Sequence, residues 1–372
     1  MSFLFYIAFR CFPDLTKPLN MSEMILKSII VLTKPGIKAP NYKWRVRNQT
    51  GCWVCNSDQI ISPRIGTVVS NGIFRRYFYS FTQKYVPYPP SCNEGDLLDV
   101  GMRQIEAIGE YYRKYLIEFL NFLPPHLNHT LMSARSSSMD SCFRSAESFF
   151  TGLYPPSSPG EMINITTGTP DHDPIVASYD KCEDLQLSWS RYVKTSNFLK
   201  RMNESKQVYQ SAFESMRVEQ NDIHWMYMGD WLTSHYCSDQ ELPDWSSELL
   251  FNRSVMDAEY LYGQYFSYES GIVEAPLMRI AMKHMESTIN GSEIVKFMYF
   301  SLSDLAFMSL SYSLGYRESI PYASHIALEI WQNKDQEPIV RATINGNSIF
   351  SMKYTSFKML FAQKINRYCL EL

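Results

Sequence analysis

The run Ile29-Ile30-Val31-Leu32 constrains the fold of this chain more than any other stretch. Its apolar residues do not alternate with polar ones, so both faces of the strand they predict must be covered, as in a sheet with helices on either side. A strand over Ile25 to Leu32 is therefore expected inside a layered α/β fold. Directly after it the chain places Lys34, Pro35, Gly36, Lys38 and Pro40. Two cations and a glycine at the end of a buried strand suit a loop that holds an anion. The competing reading makes them ordinary solvated loop lysines.

Periodicity organises most of the remainder. From Asn41 to Ser91 prolines, aromatics and polar residues follow no period, which predicts long loops with short elements. Cys52-Trp53-Val54-Cys55 lies there, without the second cysteine pair that a zinc site needs, so no metal is expected. Met102, Ile105, Ile108, Tyr112, Leu116 and Phe119 recur at three- and four-residue spacing and predict an amphipathic helix that Pro124 stops. A short strand near Thr130 to Ala134 follows. Then comes a serine-capped helix with Cys142, Phe143, Ala146, Phe149 and Phe150 on its inner face, ended by Gly152, with Pro155 beyond. Arg135 falls between that strand and that helix, where an anion ligand belongs.

"INITTGTPDHDPIV" is a further strand-like stretch, and Ser188 to Ser287 reads as largely helical. Glu293 to Asp304 predicts a strand, followed by a helix to Leu314. "PYASHIALEIW" and "PIVRATING" predict antiparallel strands ending in an Asn-Gly hairpin. The expected division is a poorly defined segment over 1–23, an α/β core over 24–180 and 291–372, and a mainly helical cap inserted at 181–290.

With 35 Lys and Arg against 38 Asp and Glu, and no basic run, nucleic acid is not an expected partner. No apolar run approaches the roughly 18–20 residues of a membrane-spanning helix. Eight cysteines and the Asn-x-Ser/Thr sequences at Asn20, Asn48, Asn128, Asn164, Asn203, Asn252 and Asn290 favour a secreted, lysosomal or other endomembrane-lumen glycoprotein with disulfides. Their pairing stays open. "MSFLFYIAFRCF" is short for a signal sequence and is broken by Arg10.

Five ordered blocks carry a resemblance: "KPGIKAP", "GDLLDVGMRQ", "RSSSMDSCFRSAESFFTGLYPP", "FSLSDLAFMSLSYSLG" and "PYASHIALEIW". From about Leu26 to Asn345 the chain resembles the histidine acid phosphatases, in branch 2 of the histidine phosphatase superfamily. The resemblance implies a phosphoglycerate mutase-like three-layer α/β domain with a helical cap and no cofactor. Its first motif reads Arg-His-Gly-x-Arg-x-Pro, where the histidine takes the phosphoryl group and the arginines clamp its oxygens. A third arginine and a later His-Asp pair complete the site, the aspartic acid protonating the leaving group.

Carried across, Lys34 and Lys38 stand at the two arginines, Pro35 at the nucleophilic histidine, and Arg135 at the third arginine. Ser303 stands at the second histidine and Asp304 at the acid. Gly36 and Pro40 are kept. Proline offers no nucleophile, and losing a covalent nucleophile costs about a millionfold in the best-measured hydrolase. Lysine keeps the charge but loses the bidentate fork.

The expected function is a pseudo-phosphatase that binds a phosphomonoester, another anionic small molecule or a glycan through Lys34, Lys38 and Arg135, with Asp304 as the retained acid. The alternatives are an acid phosphomonoesterase with an unorthodox nucleophile and a structural secreted glycoprotein. Within the site itself, Arg135 and Asp304 are read either as ligands or as a helix cap and a mutual pair. Elsewhere His172, in "DHD", reads as a loop residue and His325 as a packed one. Ser303 lacks a base and an oxyanion-hole signature.

Overall fold

The computed structural model describes residues 10–16, 21, 23–41, 53, 55, 92–156, 162–168, 175, 183–267, 275–333 and 337–365. Among them one sheet carries β1 (Ile25–Thr33), β2 (Met132–Ser136), β3 (Ile165–Thr167), β4 (Phe297–Ser301), β5 (His325–Gln332), β6 (Ile339–Ile344) and β7 (Asn347–Lys353). Its spatial order is β3-β2-β4-β1-β5-β6-β7. The first four are paired in parallel, and the joins from β1 through β5 and β6 to β7 are antiparallel. The helices are α1 (Asp99–Tyr112), α2 (Asp140–Leu153), α3 (Glu183–Tyr192), α4 (Ser196–Met216), α5 (Asp222–Cys237), α6 (Glu248–Ser267), α7 (Ala275–Ile289), α8 (Asp304–Ser313) and α9 (Tyr354–Ile365).

The unbroken apolar run in β1 is buried for the reason its pattern implies. Ile29 and Val31 face α1 and α2 through Ile105, Ile108 and Phe149, while Ile30 and Leu32 face α7 and α8 through Met278, Met285 and Phe307. Each such side chain contributes about 1.5–3 kcal/mol by leaving water. β5 is likewise sandwiched, with Ile326, Leu328 and Ile330 on one face and Ala327 and Trp331 on the other. Helices α3 to α6 pack around a cluster of their own, with Trp189, Tyr209, Phe213, Trp225, Trp231 and Phe251 at its centre. The Asn-Gly hairpin forms as its sequence predicts, with Asn345 and Gly346 at φ 52° and 83° between β6 and β7.

Several local expectations are corrected. The helix through Phe119 is α-helical only to Tyr112 and continues as a π-helix over Arg113–Phe119. The wider turn aims Tyr115 at the buried Glu329–Arg341 pair, 3.2 Å and 2.9 Å away, and leaves Phe119 61% exposed. No serine caps α2: its N-cap is Met139, without a side-chain hydrogen bond. Phe143 is exposed rather than on the inner face. Gly152 does not end α2 but lies within it, where α1 crosses so closely that a Cβ would sit 2.1 Å from the Glu106 carbonyl oxygen.

Disulfides join Cys11 to Cys237 and Cys55 to Cys92, and Cys142 is a buried free thiol. Phe12 and Leu15 pack on the core beneath α1. Most of the Asn41 to Ser91 stretch, together with Cys52, His172, Cys182 and Cys369, lies outside the described residues. No helix among the described residues is long and apolar enough to cross a membrane.

The α1–α2 crossing yields a stability prediction. Gly152→Ala should lower unfolding free energy by about 1–3 kcal/mol or more, because backbone rather than a movable side chain blocks the added methyl. Urea titration of the two proteins checks this, and an unchanged midpoint would contradict the close crossing.

Candidate functional site

β1, β2 and β4 end level with one another, Thr33 and Ser136 both lying opposite Ser301. From β1 the chain proceeds to α1 on one face of the sheet, and from β4 it turns at once into α8 on the other. Adjacent parallel strands whose exits diverge in this way open a crevice at their carboxyl ends, the usual ligand position in α/β sheets. Residues 34–40 fill the β1 side of it and are all buried. Gly36 is required there, since a Cβ would lie 2.1 Å from the Gly101 carbonyl oxygen in the first turn of α1.

Lys34 and Lys38 are not solvated loop residues: they are 8% and 1% exposed. The Lys38 ammonium lies 2.9 Å from Asp304 Oδ2 and 3.3 Å from Asp230 Oδ1. Lys34 Nζ lies 3.7 Å from Asp304 Oδ1, donates to the Ile320 carbonyl at 3.1 Å, and sits 5.1 Å from the centre of the Tyr322 ring. Asp230, on α5, also accepts a hydrogen bond from the Asn41 amide at 2.8 Å. Two ammoniums thus face two carboxylates, and the charges inside this cluster cancel.

Titration follows from that arrangement. Burial on its own would lower the pKa of Lys38, but Asp230 and then Asp304 outweigh it and hold it well above the ordinary lysine value. For Asp304 burial pushes upward, and Lys38 and Lys34 overcome it, leaving the carboxyl below its ordinary value of 3.8. Asp304 also opens α8, whose N-terminal dipole favours a carboxylate.

The buried Pro35 accepts through its carbonyl from the Ala323 amide at 2.9 Å, beside a Lys34 amide bonded to the Ser324 carbonyl. Ser303 is the N-cap of α8, its hydroxyl accepting from the Ala306 amide at 3.3 Å. The alternative of a mutual Asp304–Arg135 pair is not what forms; Asp304 pairs with the lysines. Arg135 is half-buried on β2 opposite Phe300, on the neighbouring strand end.

Beside Lys34 and Asp304 opens a cavity of about 50 Å³, walled by Asp230, Thr233, Glu259, Tyr262 and Tyr322, which has room for a few waters or one small polar group. Thr233 and Ser234 on α5 bond the Tyr322 hydroxyl at 3.1 Å and 3.0 Å. Glu259 on α6 accepts from the Ile320 amide at 3.0 Å. The helical layer therefore closes the crevice from above. Of these residues Tyr322 stands in a block that carries the resemblance. Asp230, Glu259 and Tyr262 had no signal, because Gly229-Asp230 sits in an unremarkable helical stretch.

None of the described histidines walls the cavity. His325 bonds Tyr112 at 2.7 Å behind the site, and burial pulls its pKa down to about 3. Burial likewise takes His235 down to about 4, and His284 is bonded to Ser28 and Glu293. The Cys142 thiol is pushed up to about 12 by burial. Among the described residues no cluster of His, Cys, Asp or Glu suits a metal ion.

Residues 75–293 match the model of the family described as histidine phosphatase superfamily, branch 2. That match contains Arg135 and Asp230 but neither the Lys34–Pro40 loop nor Asp304. The chain is similar to Counting factor 60 of Dictyostelium discoideum, 22% identical over 353 residues that make up 90% of this chain and 83% of that protein. Human prostatic acid phosphatase is 23% identical over 65% of this chain and 67% of its own length. Among solved structures, the apo form of Hafnia alvei phytase superposes with a TM-score of 0.63 at 11% identity, covering 94% and 98% of the two chains. At that identity the likeness is one of fold.

Lys38→Met should destabilise the protein by about 3–5 kcal/mol, since it leaves the mostly enclosed Asp230 carboxylate without its lysine and Asp304 with only Lys34. Asp304→Asn gives the pH dependence. Because the folded carboxyl titrates below 3.8, its contribution is full above that value and is lost as pH falls through the folded pKa. The stability gap between wild type and Asp304→Asn should hold steady near neutral pH and shrink only below 3.8. Denaturant titrations along a pH series check this, and a gap that widens in acid would refute the pairing.

Proposed function

We propose, from the premise that the chain belongs to branch 2 of the histidine phosphatase superfamily, that it is an acid-phosphatase-like protein that does not hydrolyse phosphomonoesters by the phosphohistidine route. The observation that carries this reading is the buried Lys34–Asp304–Lys38–Asp230 cluster beside Pro35. In the family chemistry that position needs an imidazole to attack phosphorus and cations free to neutralise three oxygens. Here the nucleophile position carries a pyrrolidine ring, and carboxylate oxygens already engage both ammoniums. Asp304, the residue that would protonate a leaving group, is held ionised by the same contacts, and a general acid must begin protonated.

Binding of an anion remains open to such a site, in a weakened form. A phosphomonoester or similar anion would approach Lys34, Lys38 and Arg135 against competition from Asp304 and Asp230. The expected ligand class is therefore a small anionic group whose affinity is set by how readily those carboxylates yield. Two disulfides favour an oxidising setting, secreted or lumenal.

Two measurements test the reading. Wild-type protein should release no phosphate from an aryl phosphate above the uncatalysed rate from acid to neutral pH; hydrolysis by the wild type would overturn the proposal. Orthophosphate binding, followed calorimetrically, should tighten about tenfold in Asp304→Asn, a change of about 1.4 kcal/mol. Equal or weaker binding would show that Asp304 does not compete with the anion.

A further inference from the structure

Three of the sequences Asn-x-Ser/Thr meet at one end of the sheet. Asn164 immediately precedes β3, Asn128 caps a 3-10 turn (His129–Leu131) that enters β2, and Asn290 opens the link from α7 to β4. β3, β2 and β4 are adjacent and parallel, so all three links enter the sheet from the same edge. The bond from the Lys296 amide to the Leu131 carbonyl, 2.9 Å, ties two of these links together. The Lys34–Asp304 crevice lies at the opposite edge, roughly 15 Å away along a five-residue strand.

In each of the three, the asparagine and its hydroxyl residue are both exposed: Asn128 with Thr130, Asn164 with Thr166, and Asn290 with Ser292. At Asn128 the side-chain oxygen accepts from the Thr130 amide at 3.0 Å and its hydroxyl at 2.8 Å. Of the two described sequences in the helical layer, Asn203 is exposed as well, away from this end of the sheet, while Asn252 is half-buried with Ser254 fully buried behind it. The same end of the sheet carries two exposed apolar side chains, Met162 at 75% and Ile294 at 67%.

We infer that Asn128, Asn164 and Asn290 carry N-linked oligosaccharides that coat the amino-terminal edge of the sheet and leave the crevice at the other edge open. The chemistry is a group transfer from a polyprenyl-diphosphate-linked oligosaccharide. Asparagine Nδ2 forms a bond to C1 of the first sugar, the C1–O bond to diphosphate breaks, the diphosphate leaves with the bonding pair, and nitrogen loses one proton. Attachment to the emerging chain needs only the three-residue sequence. The folded protein must then accommodate the glycan, and these three positions do so without displacing any packed residue. The assignment does not depend on whether the crevice is catalytic.

The test is the full chain expressed in a eukaryotic host and purified from any compartment, then treated with peptide N-glycosidase in 18O water and mapped by mass spectrometry. The expected result is 18O-labelled aspartate at 128, 164 and 290 in most molecules and unmodified Asn252. Asn128→Gln, Asn164→Gln and Asn290→Gln should each remove one glycan from the intact mass. Glycan removal from the folded protein should leave orthophosphate binding unchanged. Chain recovered with these three asparagines unmodified, or with Asn252 occupied in their place, overturns the inference.

Discussion

Two ammonium groups buried at the ends of parallel strands set the terms for everything around them. Bulk water does not reach Lys38 and reaches Lys34 only through a small cavity, so the protein must supply most of their counter-charge. Asp304 reaches them because β4 ends level with β1 and turns directly into α8, with Ser303 capping the first turn. Asp230 reaches them because the helical layer folds down over the crevice and its α5 accepts the Asn41 amide on the same carboxylate. The bonds of Tyr322 to Thr233 and Ser234, and of Glu259 to Ile320, fasten that layer to the sheet end. The charge cluster and the closure of the fold over it are one arrangement.

The sheet was largely legible in the chain because burial on both faces leaves an unmistakable pattern. Ile29 to Leu32 could be nothing but a covered strand, and Asn345-Gly346 specifies its turn by the positive φ both residues tolerate. Helix ends were less legible. A π-helix at Arg113–Phe119 arises from a tertiary contact, Tyr115 with Glu329 and Arg341, that no local period records. Gly152 carries the same signal whether it terminates a helix or lets another helix cross it.

The candidate site was half legible. The resemblance brings residues 34, 38 and 304 to one place, and the structure does set them side by side. What it could not show is that these residues satisfy one another. The second carboxylate, Asp230, lies nearly two hundred positions from Lys38 in a helical stretch with no motif, and only the closed fold joins them. A lysine in a loop reads as a solvated charge until the structure shows what covers it. The amino-terminal edge is the reverse case, since each Asn-x-Ser/Thr sequence is plain to read but their convergence needs the strand order.

The central claim is that carboxylates of the protein occupy the counter-charge role that a phosphate would otherwise fill. An NMR titration of the Asp304 side-chain carboxyl carbon, run with and without excess orthophosphate, tests it most directly. The account predicts a midpoint below 3.8 that stays low when phosphate is added at low concentration, because Lys38 and Lys34 remain bound to the carboxylate. A midpoint at or above that ordinary value in the absence of phosphate would mean the lysines do not hold Asp304, and the account would fail.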